Sequence, residues 1–442
     1  GGVTVTGGIV VGNSGVKIQL GGLTVDAGGV SATGGLTVMD TGLKVTGGIT
    51  VTDGIVVGDT GIKVQLGGLT VDSGGIKVTG GLTAMDTGMK VTGGITVTDG
   101  IVVGTGGVNI QLGGLAVVDG GINVAGGISS MDGLTVTGGA TITGGVIVGT
   151  HGVKVSLGGI TVVSGGISSA GGVSIDDNGL SVTGGATITG GLVVGTTGVE
   201  VDNGGVSVNA DGMSIVGGTS VMDTGLKATG GITVTGGVVV GTDGLKVLLG
   251  GLTVSADGMS VAGGISATSV GVTVTGGVTV TGGIVVGTTG IKVLGGGLTI
   301  SDAGASVAGG LSLVDVGLKI TGGITVTGGI VVGTDGLVVQ EGGLTVSDAG
   351  LSVLGGLSSM DAGLKVTGGV TVTGGVIVGT SGIKVQLGGL TIDAGGIGVA
   401  GGLSVEDTGL KITGGITVTG GVVVGTDGIE VTHGGLSVVA GG

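Results

Sequence analysis

The chain is 442 residues long, carries 124 glycines, and sets 28 acidic residues against 13 basic ones, for a net charge of −15. It contains no proline, cysteine or aromatic residue, and every basic residue is lysine. These figures exclude collagen, which needs proline and a Gly-X-Y triplet, as well as a disulfide framework and an aromatic core. They also disfavour a nucleic-acid partner, which requires clustered cations with arginine or aromatic residues.

Glycine-rich chains are often flexible, but those are poor in β-branched residues. This one alternates Val, Ile and Thr, and its mean hydropathy is +0.81, so an ordered chain is expected. No apolar run reaches the roughly 18 residues of a membrane-spanning helix, and membrane insertion is not expected. Dispersed negative charge helps keep an apolar-rich chain from sticking to its neighbours. The absence of cysteine leaves the redox compartment open.

The chain is one continuous array of a 46-residue period. The run Ile9-Val10-Val11-Gly12 returns at Ile55, Ile101, Val146, Leu192, Val238, Ile284, Ile330, Val376 and Val422. One interval is a residue short, because Met39-Asp40-Thr41-Gly42 reads Met131-Asp132-Gly133 in the third period. Residues 1–8 match the end of a period, so the sequence is expected to be a fragment of a longer protein. A repeat this regular points to an elongated array of stacked units.

Within the first period, glycines divide the chain into seven segments beginning at Ile9, Val16, Leu23, Val30, Leu36, Leu43 and Ile49. Most read aliphatic, any, aliphatic, one or two polar residues, then Gly or Gly-Gly. The period-two alternation predicts short half-buried strands. Helix is excluded, since glycine at such short intervals costs about 1 kcal/mol each time. Gly-Gly is expected to supply positive φ angles at tight corners.

Two all-β arrangements use such units, an antiparallel meander and a parallel solenoid. Side-chain parity separates them. In a two-residue hairpin, Thr52 of Ile49-Thr50-Val51-Thr52 would face Ile55 across Asp53-Gly54, setting a polar residue against an apolar one. Segments of six and seven residues are mixed, so a meander would keep flipping its apolar face. In a solenoid, corners of variable length bulge outward while the strands stay in register. A parallel β-solenoid is therefore predicted.

Lysines bear on the size of the coil. Lys17, Lys63, Lys154, Lys246, Lys292 and Lys384 occupy one position of the period; Lys44, Lys90, Lys227, Lys319, Lys365 and Lys411 occupy another. The two positions alternate at 27 and 19 residues, or four segments and three. Either each period makes two unequal coils with lysines stacked in a column, or a triangular coil of three segments gives two and a third turns per period. The triangular coil is favoured, with about 20 residues per coil and about 4.8 Å per coil, for a length of about 100 Å.

Thr-x-Thr recurs in every period, as at Thr50/Thr52, Thr96/Thr98, Thr233/Thr235 and Thr325/Thr327. Such arrays resemble the ice-binding face of solenoid antifreeze proteins, although those carry the motif on every coil. An outward-facing ladder of β-branched polar residues is the plainer expectation. No Asn-x-Ser/Thr sequon occurs, so N-glycosylation is not expected. Asp40, Asp86, Asp132, Asp177, Asp223, Asp315, Asp361 and Asp407 recur in the Met-Asp-Thr-Gly corner, with Ser269 in one copy. A carboxylate column could hold Ca²⁺, yet Asp in a corner is also ordinary turn chemistry. His151 and His433 do not recur, no catalytic constellation is visible, and no enzyme activity or cofactor is expected. The methionines fall mainly at corners or strand starts, where gap filling is the expected role.

By repeat length, Gly-Gly corners and Thr/Val strands, the chain resembles the repetitive shafts of extracellular appendages, adhesins and viral tail fibres. That resemblance covers the whole chain in pattern and implies a surface filament. It implies a location outside the cell or on a virion, and an anchor or glycan contact lying elsewhere in the protein. Unpaired strand edges at the ends of a solenoid suggest end-to-end self-association. The alternatives are a binding module using a Thr-rich face and a fibre in which three chains share one core.

Overall fold

The computed structural model describes residues 1–269, 271–314 and 317–439. All of its regular structure is β: 67 parallel-paired strands among the described residues, nearly all three residues long. The chain divides into two compact units, residues 1–222 and 223–442.

In the first unit, β1 (Val3–Val5), β2 (Ile9–Val11) and β3 (Val16–Ile18) complete one turn. β4 (Leu23–Val25) then lies parallel to β1, with Val3 opposite Leu23 and Val5 opposite Val25. Each strand pairs in the same way with the strand three places on, so the unit has three parallel sheets around one interior. The second unit, from the strand Leu226–Ala228 to the strand Leu436–Val438, repeats the arrangement; Leu226 lies opposite Leu245. Together the units hold about 22 triangular turns of about 20 residues. The parallel solenoid expected from the parity of the segments is the fold, its coil is the favoured triangular one, and each unit closes its core with its own chain.

The strand formula explains the core. The first and third residues point inward and the second outward, as in Leu69-Thr70-Val71, where Leu69 and Val71 are 0% and 1% exposed. Side chains of similar size then stack in columns, Ile49 on Leu69 and Leu69 on Met89. Each buried aliphatic contributes about 1.5–3 kcal/mol relative to exposure. Three sheets of small residues close on a narrow interior, which is why no aromatic residue is needed.

Corners absorb irregularity. Ile101 pairs with Ile122, and Ile122 with Ala140, so successive turns differ by three residues without loss of register. The one-residue deletion in the third period is taken up where Gly133 joins the strand Gly133–Val136 and pairs with Gly152.

The glycines serve two purposes, and the sequence expectation needs correction here. Two glycines per period take left-handed angles, as Gly61 (φ 82°) and Gly67 (φ 86°) do around the strand Ile62–Val64. The remaining Gly-Gly corners do not. There the backbone of one turn rests on that of the next: a Cβ on Gly28 would stand 2.5 Å from the Gly8 Cα, and one on Gly47 2.8 Å from the Gly28 carbonyl carbon. Corner amides bond across the same gap, Gly47 N–H donating to the Gly28 carbonyl at 3.1 Å. Close stacking, more than φ, is the reason for most of the glycine.

Candidate functional site

The outward strand residues are a mixture of Thr, Lys, Ser and exposed aliphatics, and their order follows from the mismatch between period and turn. Seven segments make a period and three make a turn, so each period advances two and a third turns. Up any one face, the seventh, third, sixth, second, fifth, first and fourth segments follow one another. On the first face of the first unit this places Thr4, Thr24, Lys44, Lys63, Thr83 and Val102 in one row.

This register corrects the expected lysine columns. In the first unit Lys17, Lys77 and Lys154 lie on one sheet, Lys44 and Lys63 on a second, and Lys90 on the third. In the second unit Lys227, Lys246, Lys365 and Lys384 share a sheet, Lys292 and Lys411 share another, and Lys319 lies on the third. The 19-residue spacing is one turn and stacks lysine on lysine: Lys44 on Lys63, Lys227 on Lys246, Lys365 on Lys384. The 27-residue spacing changes face.

The Thr-x-Thr sites are spread in the same way and do not form one ladder. Thr50 stands between Ser31 and Thr70, and Thr96 between Lys77 and Ala116 on a different sheet. In the second unit Thr233 is paired with Thr253, while Thr325 stands between Ser306 and Thr345, again on a different sheet. The partner threonines Thr52, Thr98, Thr235 and Thr327 follow their strands at the corners; the Thr52, Thr98 and Thr327 amides donate to Ala32, Val78 and Val307 one turn back.

Asp40, Asp86, Asp177, Asp223, Asp361 and Asp407 are exposed at corners, and Asp132 is half-buried; Asp315 lies outside the described residues. Their main-chain carbonyls are the recurrent partners. The Thr242 and Thr426 hydroxyls donate to the Asp223 and Asp407 carbonyls at 2.7 and 2.6 Å, and Thr288 donates to Ser269 in the exceptional copy. The carboxylates of Asp40 and Asp407 accept from the amides of Gly21 and Gly388 at 3.1 and 3.5 Å. Among the described residues, no three of His, Cys, Asp and Glu gather to hold a metal ion. The His151 ring meets the Asp132 carboxylate, beside the deletion. His433 donates its amide to the Thr413 carbonyl.

The methionines divide into two groups. Met89, Met213 and Met259 start strands and are buried, while Met39, Met85, Met131, Met222 and Met360 stand exposed at corners and fill no gap.

Open grooves run beside the outward rows. One of about 380 Å³ is bordered by Thr4, Thr24, Thr41, Lys44, Thr60 and Lys63. Another of about 610 Å³ is bordered by Thr345, Lys365, Ser381, Lys384 and Ser404. A third, of about 540 Å³, has Asn109, Ser129, Ile147 and Ser168 along it. Sequence reasoning offers stacked lysines as one reading of the 27- and 19-residue spacings; only the 19-residue spacing stacks them, and the grooves beside Lys44/Lys63 and Lys365/Lys384 have no signal in the sequence. Comparison with protein-family models, with curated proteins and with solved structures returned no match.

Proposed function

We infer that the chain is a structural element, a stiff shaft in an extracellular or surface filament, with no preferred side. The observation that carries this reading is the two-and-a-third-turn advance of the period. It deals Thr, Lys and exposed aliphatic residues in turn to all three faces of each unit. A surface built to grip one flat target keeps its recognition residues on one face; here Thr50 and Thr96, identical in the period, point from different sheets. The same advance argues against ice binding, which needs a continuous flat array.

Continuous pairing supports the mechanical part. Strands inside each unit have partners on both edges, so opening one turn breaks bonds on two sides. Repeat arrays of this kind derive stability from nearest-neighbour interfaces and resist local opening cooperatively. Self-association belongs to this reading as end-on stacking of solenoids, with contacts like those between turns. Electron microscopy of the purified chain tests it. Straight unbranched rods of constant width are expected, with sedimentation giving the mass of one chain or an end-to-end series. Flexible or collapsed particles contradict the shaft.

A further inference from the structure

Three in-register lysine pairs run against the charge balance of the molecule. Like charges directly opposite on neighbouring strands are unfavourable, and with 28 acidic residues to 13 basic ones the chain has acids to place there. It does so once in this position, where Glu430 stands opposite Lys411. At Lys44/Lys63 and Lys365/Lys384 it does not, and those two pairs end the complete Thr-Thr-Lys-Lys rows. The rows are Thr4, Thr24, Lys44, Lys63 in the first unit and Thr325, Thr345, Lys365, Lys384 in the second. The first row borders a groove along its whole length and the second from Thr345 to Lys384, and no acidic side chain lines either groove. Among the described residues Lys44, Lys63 and Lys365 make no ion pair, while Lys384 holds Glu406 at 2.7 Å.

We propose that these two rows bind an anionic oligosaccharide, a sulfated or carboxylated sugar chain lying along the stacking direction. Strands about 4.8 Å apart spread four outward side chains over about 15 Å, the reach of a short oligosaccharide. Threonine hydroxyls both donate and accept, as sugar hydroxyls require, and two adjacent ammonium groups supply donors to one anionic substituent. Bound anion removes the lysine–lysine repulsion, so the unfavourable pair becomes part of the recognition. Nucleic acid fits poorly, since no aromatic or arginine is available to stack on bases. Exposed ion pairs are individually weak, so binding depends on the whole row and falls with salt. This function is additional to the shaft and does not depend on it.

The test is titration calorimetry with a sulfated dextran oligosaccharide, neutral dextran and inorganic sulfate. The sulfated oligosaccharide is expected to bind at least about tenfold more tightly than either control, a difference of about 1.4 kcal/mol. The variant K44Q/K63Q/K365Q/K384Q loses at least that factor. The variant K17Q/K77Q/K154Q/K292Q removes the same charge from lysines with no lysine opposite, and stays within about twofold of the parent. Equal losses in the two variants reduce the effect to bulk charge and overturn the proposal. Inorganic sulfate binding as tightly as the oligosaccharide, or no binding of the oligosaccharide, overturns it as well. All eight lysines are exposed, and matching thermal melts establish that both variants keep the fold.

Discussion

The Thr380 hydroxyl donates a 2.6 Å hydrogen bond to the main-chain carbonyl of Asp361, one turn earlier. The same bond joins Thr105 to Asp86 and Thr196 to Asp177. Because the acceptor is backbone, the aspartate side chain is not what the bond requires, and Ser269 serves equally in its own copy. Thr380→Val is therefore expected to cost about 1 kcal/mol, with Asp361→Ser close to neutral. Urea unfolding, with amide exchange at the corner, measures both. Equal losses would show that the carboxylate carries the interaction.

Gly12 and Gly104 occupy the same place in the period, yet their surroundings differ. A Cβ on Gly104 collides with the Met85 carbonyl oxygen, whereas one on Gly12 meets nothing within 4 Å. Neither has a positive φ, so backbone strain does not separate them. Gly104→Ala is expected to cost about 1–3 kcal/mol, as overpacking does, and Gly12→Ala less than about 0.5 kcal/mol. Denaturant titration of the two variants side by side isolates turn-on-turn stacking as the cause.

Thr219 sits at an inward strand position, 2% exposed, and its hydroxyl has no hydrogen-bond partner among the described residues. Inward Ser359 avoids that penalty by donating to the Ala362 carbonyl at 2.9 Å. Thr219→Val keeps the shape, removes the stranded hydroxyl, and should gain about 1 kcal/mol. Ser359→Val should not gain. Thermal melts check the pair, and a loss at Thr219 would mean the hydroxyl is satisfied.

Lys63→Glu replaces a like-charge pair with the arrangement seen at Lys411 and Glu430, whose charged atoms lie 3.7 Å apart. The gain should be a few tenths of a kcal/mol at low salt and should vanish in about 1 M salt. A gain that persists in salt would point to packing in place of charge.

Much of this architecture is legible in the residues. The alternation in Ile49-Thr50-Val51 gives the strand, and the clash of Thr52 with Ile55 in a hairpin rejects the meander. The 19-residue spacing of Lys44 and Lys63 is compatible with two coil sizes, and their pairing on adjacent strands of one of three sheets settles it as the triangular turn. Two things are not legible. Glycine has the same letter whether it supplies a left-handed angle, as Gly67 does, or makes room for a neighbouring turn, as Gly28 does. The candidate site was hidden because sequence position and face are different coordinates: period-equivalent lysines look like a column in an alignment, yet the two-and-a-third-turn advance sends them to different sheets.

The most direct test of that three-face register is a pair of doubly spin-labelled variants in the first unit. Lys44 and Lys63 lie opposite each other on adjacent strands, about 4.8 Å apart. Lys44 and Lys90, equivalent in the period, lie on different sheets. With cysteines introduced and labelled, Lys44→Cys/Lys63→Cys should give strong dipolar broadening, and Lys44→Cys/Lys90→Cys none. Broadening in the second pair and not in the first would mean that the period itself is the structural coil, and would contradict the account.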